Sequence, residues 1–178
     1  GANALDANTT ASKNAAVGQS ALTANTTGHS NTAVGYQALK TNTTSSESTA
    51  IGVNALEVNT AGANTAVGHR ALEANTTGSQ NTALGQRAGY QVTTGQYNSL
   101  HGWNAGGSIT TASNNTAVGN RALDAANSAD NTAVGYSALS SNCGVNNTAL
   151  GSEALMACTG AYNTGVGYRA LYDTSSGD

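Results

Sequence analysis

The stretch NTAVGYQALKTNTTSSE, residues 31–47, decides the fold because its pattern recurs along the whole chain. Ten copies follow one another, and the amino-terminal segment 1–13 is the end of an eleventh copy. The copies begin at Asn14, Asn31, Ser48, Asn64, Asn81, Asn98, Asn115, Asn131, Asn147 and Asn163, and positions are counted from these residues. A short period, here about 16–17 residues, is typical of a solenoid, in which each repeat is one coil stacked on its neighbours.

Two small residues never change between the copies. Position 5 is always glycine: Gly18, Gly35, Gly52, Gly68, Gly85, Gly102, Gly119, Gly135, Gly151 and Gly167. Position 8 is always alanine: Ala21, Ala38, Ala55, Ala71, Ala88, Ala105, Ala122, Ala138, Ala154 and Ala170. Such a glycine indicates either a positive φ or a close backbone approach. The constant alanine favours close approach, and therefore a narrow coil.

The composition of the repeat favours strands and turns over helices. Asn, Thr and Gly are poor in helix interiors, whereas Thr-Ala-Val reads as a strand with Thr and Val on one face and Asn, Ala and Gly on the other. Ala-Leu starts a second short strand, and Asn-Thr-Thr-Gly closes the coil. We therefore predict an all-β, parallel β-solenoid with coils of about 16–17 residues.

The predicted coil is too thin to be stable alone. Its core has one Val and one Leu per turn plus alanines, which is little buried area. We therefore expect part of the small-residue surface to be buried against other subunits in a homo-oligomer or filament. Along the stack, Asn and Thr at positions 1, 2 and 12 are expected to form side-chain ladders.

Composition excludes several functions. Only 8% of the 178 residues are charged, and six Lys and Arg are scattered, which gives no support for nucleic-acid binding. No apolar run is long enough for membrane insertion by this segment. Residues 1–178 are interpreted as a single solenoid segment of about ten and a half repeats, part of a longer fibre.

Charged residues and cysteines suggest contacts between neighbouring positions. Arg70 with Glu73 and Arg121 with Asp124 are placed to pair within a coil or across a subunit boundary. Cys143 and Cys158 lie in consecutive repeats, so stacking brings them close. The pair is either an inter-coil disulfide, which places the chain outside the cytosol, or two free thiols.

No catalytic constellation is visible, and we expect neither enzymatic activity, cofactor nor metal. The histidines His29, His69 and His101 fall at three different positions of separate coils. His101 takes the place of an aliphatic residue that we expect to be buried. A glycan-cleaving solenoid is a distant alternative that needs two carboxylates in one cleft, for which only Glu57 and Glu73 share a position in successive coils.

The copy at residues 98–114 departs most from the pattern. Trp103 lies within it, with Tyr90 and Tyr97 nearby. Aromatic faces stack on sugars and anchor interfaces, so these three residues are a candidate site for a ligand such as a glycan. The alternative is a locally repacked or bulged coil.

The motif Asn-Thr-Ala-Val-Gly-x-x-Ala resembles the head repeat of trimeric autotransporter adhesins of the YadA type, Ser-x-Ala-Ile-Gly-x-x-Ser/Ala. Matching stretches are residues 31–38, 48–55, 64–71 and 131–138. The longer form with Ala-Leu and Asn-Thr-Thr-Gly also resembles repeats of tail-fibre-like proteins of phages and marine bacteria. The resemblance implies a left-handed β-roll, three chains side by side, and extracellular display on a cell or virion surface. No site residue is implied, since the matched positions are structural.

Two functions follow as expectations. The first is a structural and adhesive fibre that provides rigid reach and attaches through many weak contacts to a host surface or glycan receptor. The alternative is an ice-binding solenoid whose threonine ladder orders water, provided that the ladder points outward. Its members are Thr32, Thr49, Thr65, Thr82, Thr116, Thr132, Thr148 and Thr164.

Overall fold

A computed structural model describes residues 1–173 as a single stack of coils with one short strand each. The strands are β1 Ala15–Val17, β2 Thr32–Val34, β3 Thr49–Ile51, β4 Thr65–Val67, β5 Thr82–Leu84, β6 Ser99–His101, β7 Thr116–Val118, β8 Thr132–Val134, β9 Thr148–Leu150 and β10 Thr164–Val166. They form one ten-stranded sheet in chain order. The predicted single solenoid segment is thus described up to residue 173, and residues 174–178 lie outside the described part.

Every neighbouring pair of strands is parallel and in the register that the repeat predicts. Val17 pairs with Val34, and Ile51 pairs with Val67, so each residue meets the same position of the next copy. Like residues therefore lie above like residues in columns along the stack. The predicted all-β parallel β-solenoid, with one repeat of the sequence in each coil, is confirmed.

The second predicted strand, at Ala-Leu, is wrong. Positions 7 and 9 are in the left-handed region of the backbone, as at Gln37 with φ 57° and Leu39 with φ 50°. Two such residues in one short stretch bend the chain and prevent an extended run. The segment after the glycine is therefore a turn, which carries the leucine into the core.

Alanine and leucine columns, together with inward asparagines, fill the inside of the coil. The fully buried leucines of position 9 are Leu22, Leu39, Leu56, Leu72, Leu123, Leu139 and Leu155, and the alanines of position 8 are buried in nine of ten copies. The alanine of position 3 is buried as well, because the middle residue of a three-residue strand points opposite to its neighbours. The predicted valine in the core is wrong, since position 4 faces outward.

The glycine of position 5 meets both requirements that the sequence left open. Gly135 has φ +135°, and a Cβ built on it would lie 2.4 Å from the carbonyl oxygen of Gly151 in the next coil. The same holds from Gly18 to Gly151, with φ between +132° and +140°. A side chain would therefore both strain the backbone and separate the coils.

Asparagine at position 1 ties each coil to the next and to its own closing turn. Its Oδ1 accepts a hydrogen bond from the backbone N–H of position 1 in the following coil, as from Asn81 to Asn64 at 2.9 Å. Its Nδ2 donates to the carbonyl of position 15, as from Asn64 to Gly78 at 2.8 Å. The column is thus mainly a side-chain to backbone ladder, which differs from the predicted ladder of paired side chains.

Position 12 does carry the predicted side-chain ladder, but only in part of the stack. Nδ2 of Asn42 donates to Oδ1 of Asn25 at 3.2 Å, and Nδ2 of Asn75 donates to Asn59 at 2.9 Å. In later coils this inward column becomes apolar: Val92, Ile109, Ala126, Cys143 and Cys158. Asn142 stands at position 12 but is exposed, and the next residue, Cys143, is buried in this column instead.

In the irregular copy at residues 98–114, one core position carries a larger side chain than usual, and it compensates for two neighbouring positions that have lost theirs. Leu100 stands in β6 where β5 and β7 carry Ala83 and Ala117. Its side chain occupies the space of the two missing leucines, because a Cβ on Gly89 would lie 2.8 Å from Leu100 Cδ1 and one on Gly106 would lie 2.7 Å from Cδ2. The predicted repacking of this coil is therefore present, and it is a compensated one.

Candidate functional site

The outer face of the sheet is a regular surface of hydroxyl and aliphatic columns. Position 2 gives a half-buried Thr column, and position 4 gives an aliphatic column that is more exposed towards the ends, where Val17 is 62% and Val166 is 65% accessible. The threonines of the predicted ladder therefore point outward, on the same side as the valines. We call these two columns, positions 2 and 4 of β1–β10, the Thr/Val face.

The Thr/Val face is uncharged and periodic. Among the described residues, none of the ten strands contains Asp, Glu, Lys or Arg. Strands lie about 4.8 Å apart in a sheet, so ten strands make a face about 43 Å long. An exposed aliphatic column of this length, flanked by hydroxyl groups, marks an interaction surface more often than an ordinary exterior.

His101 is not in the core, contrary to the sequence-based expectation. It occupies the aliphatic column of the Thr/Val face, half-buried, because position 4 points outward. Its Nε2 is buried and has no hydrogen-bond partner. Within residues 1–173 no group of three or more His, Cys, Asp or Glu side chains is arranged to hold a metal ion.

A polar pocket of about 340 Å³ opens on the turns that follow the strands. It is lined by Arg87, Tyr90, Gln91, Trp103, Asn104, Gly107, Ser108, Arg121 and Asp124. These residues occupy positions 6, 7, 10 and 11 of three successive coils, and none belongs to a strand. The pocket is therefore separate from the Thr/Val face.

Gly107 is the smallest residue that lines the pocket. In the column of position 10, Gly107 lies between Tyr90 of one neighbouring coil and Asp124 of the other. The Asn104 side chain occupies the space over Gly107, with its Nδ2 2.5 Å from the place where a Cβ would stand, and it donates a hydrogen bond to Asp124. The sequence does show a lone glycine in a column of larger residues at position 10.

Two of the three predicted aromatic residues meet at this pocket. Tyr90 and Trp103 both line it, and Trp103 is 43% accessible. Tyr97 precedes strand β6, whereas Trp103 follows it, so the strand separates them. The prediction of one cluster of three aromatic residues is therefore wrong for Tyr97, which is 53% accessible and does not line the pocket.

Arginines surround Tyr90. The guanidinium carbons of Arg70 and Arg87 lie 4.8 Å and 4.7 Å from the centre of its ring, and Nη2 of Arg70 donates to its hydroxyl at 2.9 Å. Arg70 is also ion-paired with Glu73 at 2.5 Å, and this hydrogen bond raises the pKa of Arg70. Tyr90 thereby joins the turns of neighbouring coils and positions Arg87.

The predicted pairs Arg70 with Glu73 and Arg121 with Asp124 are both formed within a coil, the second at 2.9 Å. Arg70 and Arg121 are each followed by a carboxylate three residues later. Arg87 differs from them because the residue at that place is Tyr90. In residues 1–173 Arg87 belongs to none of the four ion pairs, and its Nε is buried without a partner. The pocket therefore contains an uncompensated positive charge.

The two glutamates of the enzymatic alternative are each engaged elsewhere. Glu57 pairs with Lys40 at 3.3 Å and also accepts a short hydrogen bond from Asn54. Glu73 pairs with Arg70. Both carboxylates thus serve as partners for cations and amides at the coil surface.

Cys143 and Cys158 are buried free thiols in the inward column of consecutive coils. Cys158 Sγ accepts a hydrogen bond from Nδ2 of Asn163 at 3.3 Å. Burial, with a smaller contribution from Cys158, raises the pKa of Cys143 to about 12. Of the two alternatives from the sequence, the structure contains the thiols, and a disulfide stays a prediction for oxidising conditions.

The fold and the repeat define a β-solenoid repeat protein. Comparisons with models of known families, with curated proteins and with solved structures gave no match. In the described part of the chain, no helix has the length and apolar character needed to cross a membrane.

Proposed function

We propose that the chain is a segment of an extracellular structural and adhesive fibre, displayed on a cell or virion surface and built from three copies side by side. The observation that carries this proposal is the uncovered Thr/Val face. Parallel sheets occur almost only with both faces covered, and here the core covers one face alone. A left-handed β-roll in each chain, as in the adhesins that the repeat resembles, is part of the proposal.

A second copy of the same chain is the partner that fits this face best. The distance between neighbouring strands is the same in both copies. Threonine hydroxyls and aliphatic side chains of one copy can therefore contact those of the other at every coil. A contact that repeats around a closed ring of three uses the same pair of surfaces in every copy. The absence of charge from the described strands removes the cost of burying ions at that contact.

The variable positions supply the adhesive part of the proposal. Positions 6, 7, 10 and 11 carry aromatic and charged side chains on the turns, where they differ from coil to coil. A fibre of three chains presents each such site three times, so weak contacts with a host surface or glycan add up to firm attachment.

Electron microscopy of the native particle tests the fibre arrangement. We expect short rods whose cross-section contains three coils around an axis. Rods with the cross-section of one chain would contradict the proposal.

A second function, ice binding, is favoured by one observation: the Thr column faces outward on a sheet with one strand per coil in regular register. Thermal hysteresis and inhibition of ice recrystallisation measure it directly. If this alternative is correct, activity will be present and will be lost in Thr65→Tyr and Thr82→Tyr. The fibre proposal expects no activity in the unaltered chain.

A further inference from the structure

We propose that the pocket binds a sugar residue that carries a carboxylate, with Arg87 pairing the carboxylate and Trp103 stacking on the sugar ring. This inference rests on the proposed adhesive function and names the class of receptor. It concerns one irregular place in the stack, where several departures from the repeat lie on three neighbouring coils.

The size and lining of the pocket fit one sugar unit. Its volume of about 340 Å³ is at the lower end of ligand sites, which begin at about 300 Å³. Gln91 and Ser108 offer amide and hydroxyl groups for sugar hydroxyls, beside Asn104 and Asp124, which are hydrogen-bonded to each other. Such a lining suits a hydroxyl-rich ligand better than an apolar one.

The charge at Arg87 selects an acidic sugar. The Arg121 charge is already neutralised by Asp124 at 2.9 Å, whereas Arg87 has a tyrosine in the corresponding place. Arg87 lines the pocket and takes part in none of the four ion pairs of residues 1–173, and a carboxylate is the acceptor that matches a guanidinium best. The guanidinium carbon of Arg87 lies 4.7 Å from the centre of the Tyr90 ring, and this cation–π contact holds Arg87 in position.

Trp103 separates a sugar ligand from a simple anion. An indole ring that is 43% accessible at the mouth of a polar pocket provides a flat face for the C–H groups of a pyranose. An anion without a ring would use Arg87 and leave Trp103 aside. The two residues lie in successive coils, so one ligand is able to contact both.

The test uses a panel of glucuronate, galacturonate and N-acetylneuraminate oligosaccharides, each with its methyl ester, and acetate. Trp103 is the only tryptophan of the chain, so its emission reports binding at this site, and ligand-observed NMR reports affinity. We expect at least one acid to bind about tenfold more tightly than its ester, in line with one charged hydrogen bond, and more tightly than acetate. Equal binding of acids and esters, equal binding of acetate, or no binding by any member would overturn the proposal.

Two variants assign the roles, with one matched control. Arg87→Gln should remove the preference for acid over ester, whereas Trp103→Ala should weaken the binding of both forms and keep the preference. Arg169→Gln, at the same repeat position but outside the pocket, should behave as the unaltered chain. An Arg87→Gln variant that keeps its preference for acids would refute the assignment.

The outcome is separable from that of the fibre proposal. A trimeric particle that binds no sugar of the panel would remove this inference alone. A monomer that binds the acids would remove the trimeric fibre and leave the sugar site in place.

Discussion

The backbone N–H of Asn115 donates to the side-chain Oδ1 of Asn98 at 3.0 Å, joining two coils inside the solenoid. Nδ2 of the same Asn98 donates to the carbonyl of Ala112 at 3.0 Å, which holds the closing turn of its own coil. Asn98 is fully buried. One amide thus satisfies groups of the backbone that water cannot reach, and this explains why a polar residue recurs in so narrow a core.

Replacement of Asn98 by alanine should therefore destabilise the chain strongly. It leaves the N–H of Asn115 and the carbonyl of Ala112 unpaired, at about 1–3 kcal/mol for each buried group. Asn98→Ser should be milder, because Ser48 occupies this column naturally and its Oγ accepts the N–H of Asn64 at 3.4 Å. Urea unfolding, monitored by circular dichroism, measures the free energy of unfolding of the unaltered chain and of the two variants. A serine variant as unstable as the alanine variant would argue against the ladder.

Alanine substitutions at the glycine of position 5 can separate the cost of backbone strain from the cost of a steric clash. Gly135 and Gly167 both have positive φ. A Cβ on Gly135 would lie 2.4 Å from Gly151 O, whereas no atom of residues 1–173 beyond its chain neighbours lies within 4 Å of one on Gly167. Gly167→Ala should cost about 1–2 kcal/mol from strain. Gly135→Ala should cost more, because the coils must also separate. Equal shifts in thermal midpoint would show that close approach contributes nothing.

The core exchange at β6 predicts strong coupling between three residues. Leu100→Ala alone should cost about 2–5 kcal/mol by leaving a cavity, and Gly106→Leu alone should clash with Leu100. The triple variant Leu100→Ala, Gly89→Leu and Gly106→Leu restores the usual repeat and should recover most of the stability. Thermal unfolding of the single and combined variants forms the test. Additive losses in the triple variant would mean that the substitutions are not compensatory.

Burial should make Cys143 unreactive in the folded chain. With its pKa raised to about 12, only about one thiol in ten thousand is ionised at pH 8, and the thiolate is the reactive form. We expect iodoacetamide to label Cys143 rapidly in urea and very slowly without it, as measured by mass spectrometry of peptides. Rapid labelling of the native chain would contradict the burial.

The same thiol predicts how stability changes at alkaline pH. A pKa that rises from 9.0 to about 12 means that the folded state keeps a proton that the unfolded state loses. Stability should therefore fall as pH increases from 9.0 to about 12. Cys143→Ala, which copies the neighbouring Ala126 of the same column, should reduce this loss. An identical pH dependence in the variant would exclude Cys143 as its cause.

The period and the constant residues were sufficient to predict the stack, the parallel register and the inward alanines. Close packing repeats in every coil, so Gly135 and Ala138 carry information that one copy alone lacks. The face of the strand that packs against the core was harder to predict. Alternation placed Thr and Val together, but no rule of propensity told which face of a three-residue strand meets the core, and the valine was assigned to the wrong one.

The pocket was predictable only in part. Trp103 and Tyr90 stood out as departures from the repeat, whereas Arg87 looked like the other arginines of its column. Arg87 differs from Arg70 and Arg121 because Tyr90 occupies the place where their coils have Glu73 and Asp124. The pocket is lined by residues of three successive coils, so it appears only when the coils are placed above one another.

The mass of the native particle in solution tests the central claim most directly. Light scattering should give about three times the chain mass of 17.5 kDa. Val118→Glu, which places a charge on the Thr/Val face without entering the core, should reduce the particle to single chains that keep their circular dichroism spectrum. An unaltered chain that remains at 17.5 kDa at high concentration would contradict the trimeric fibre.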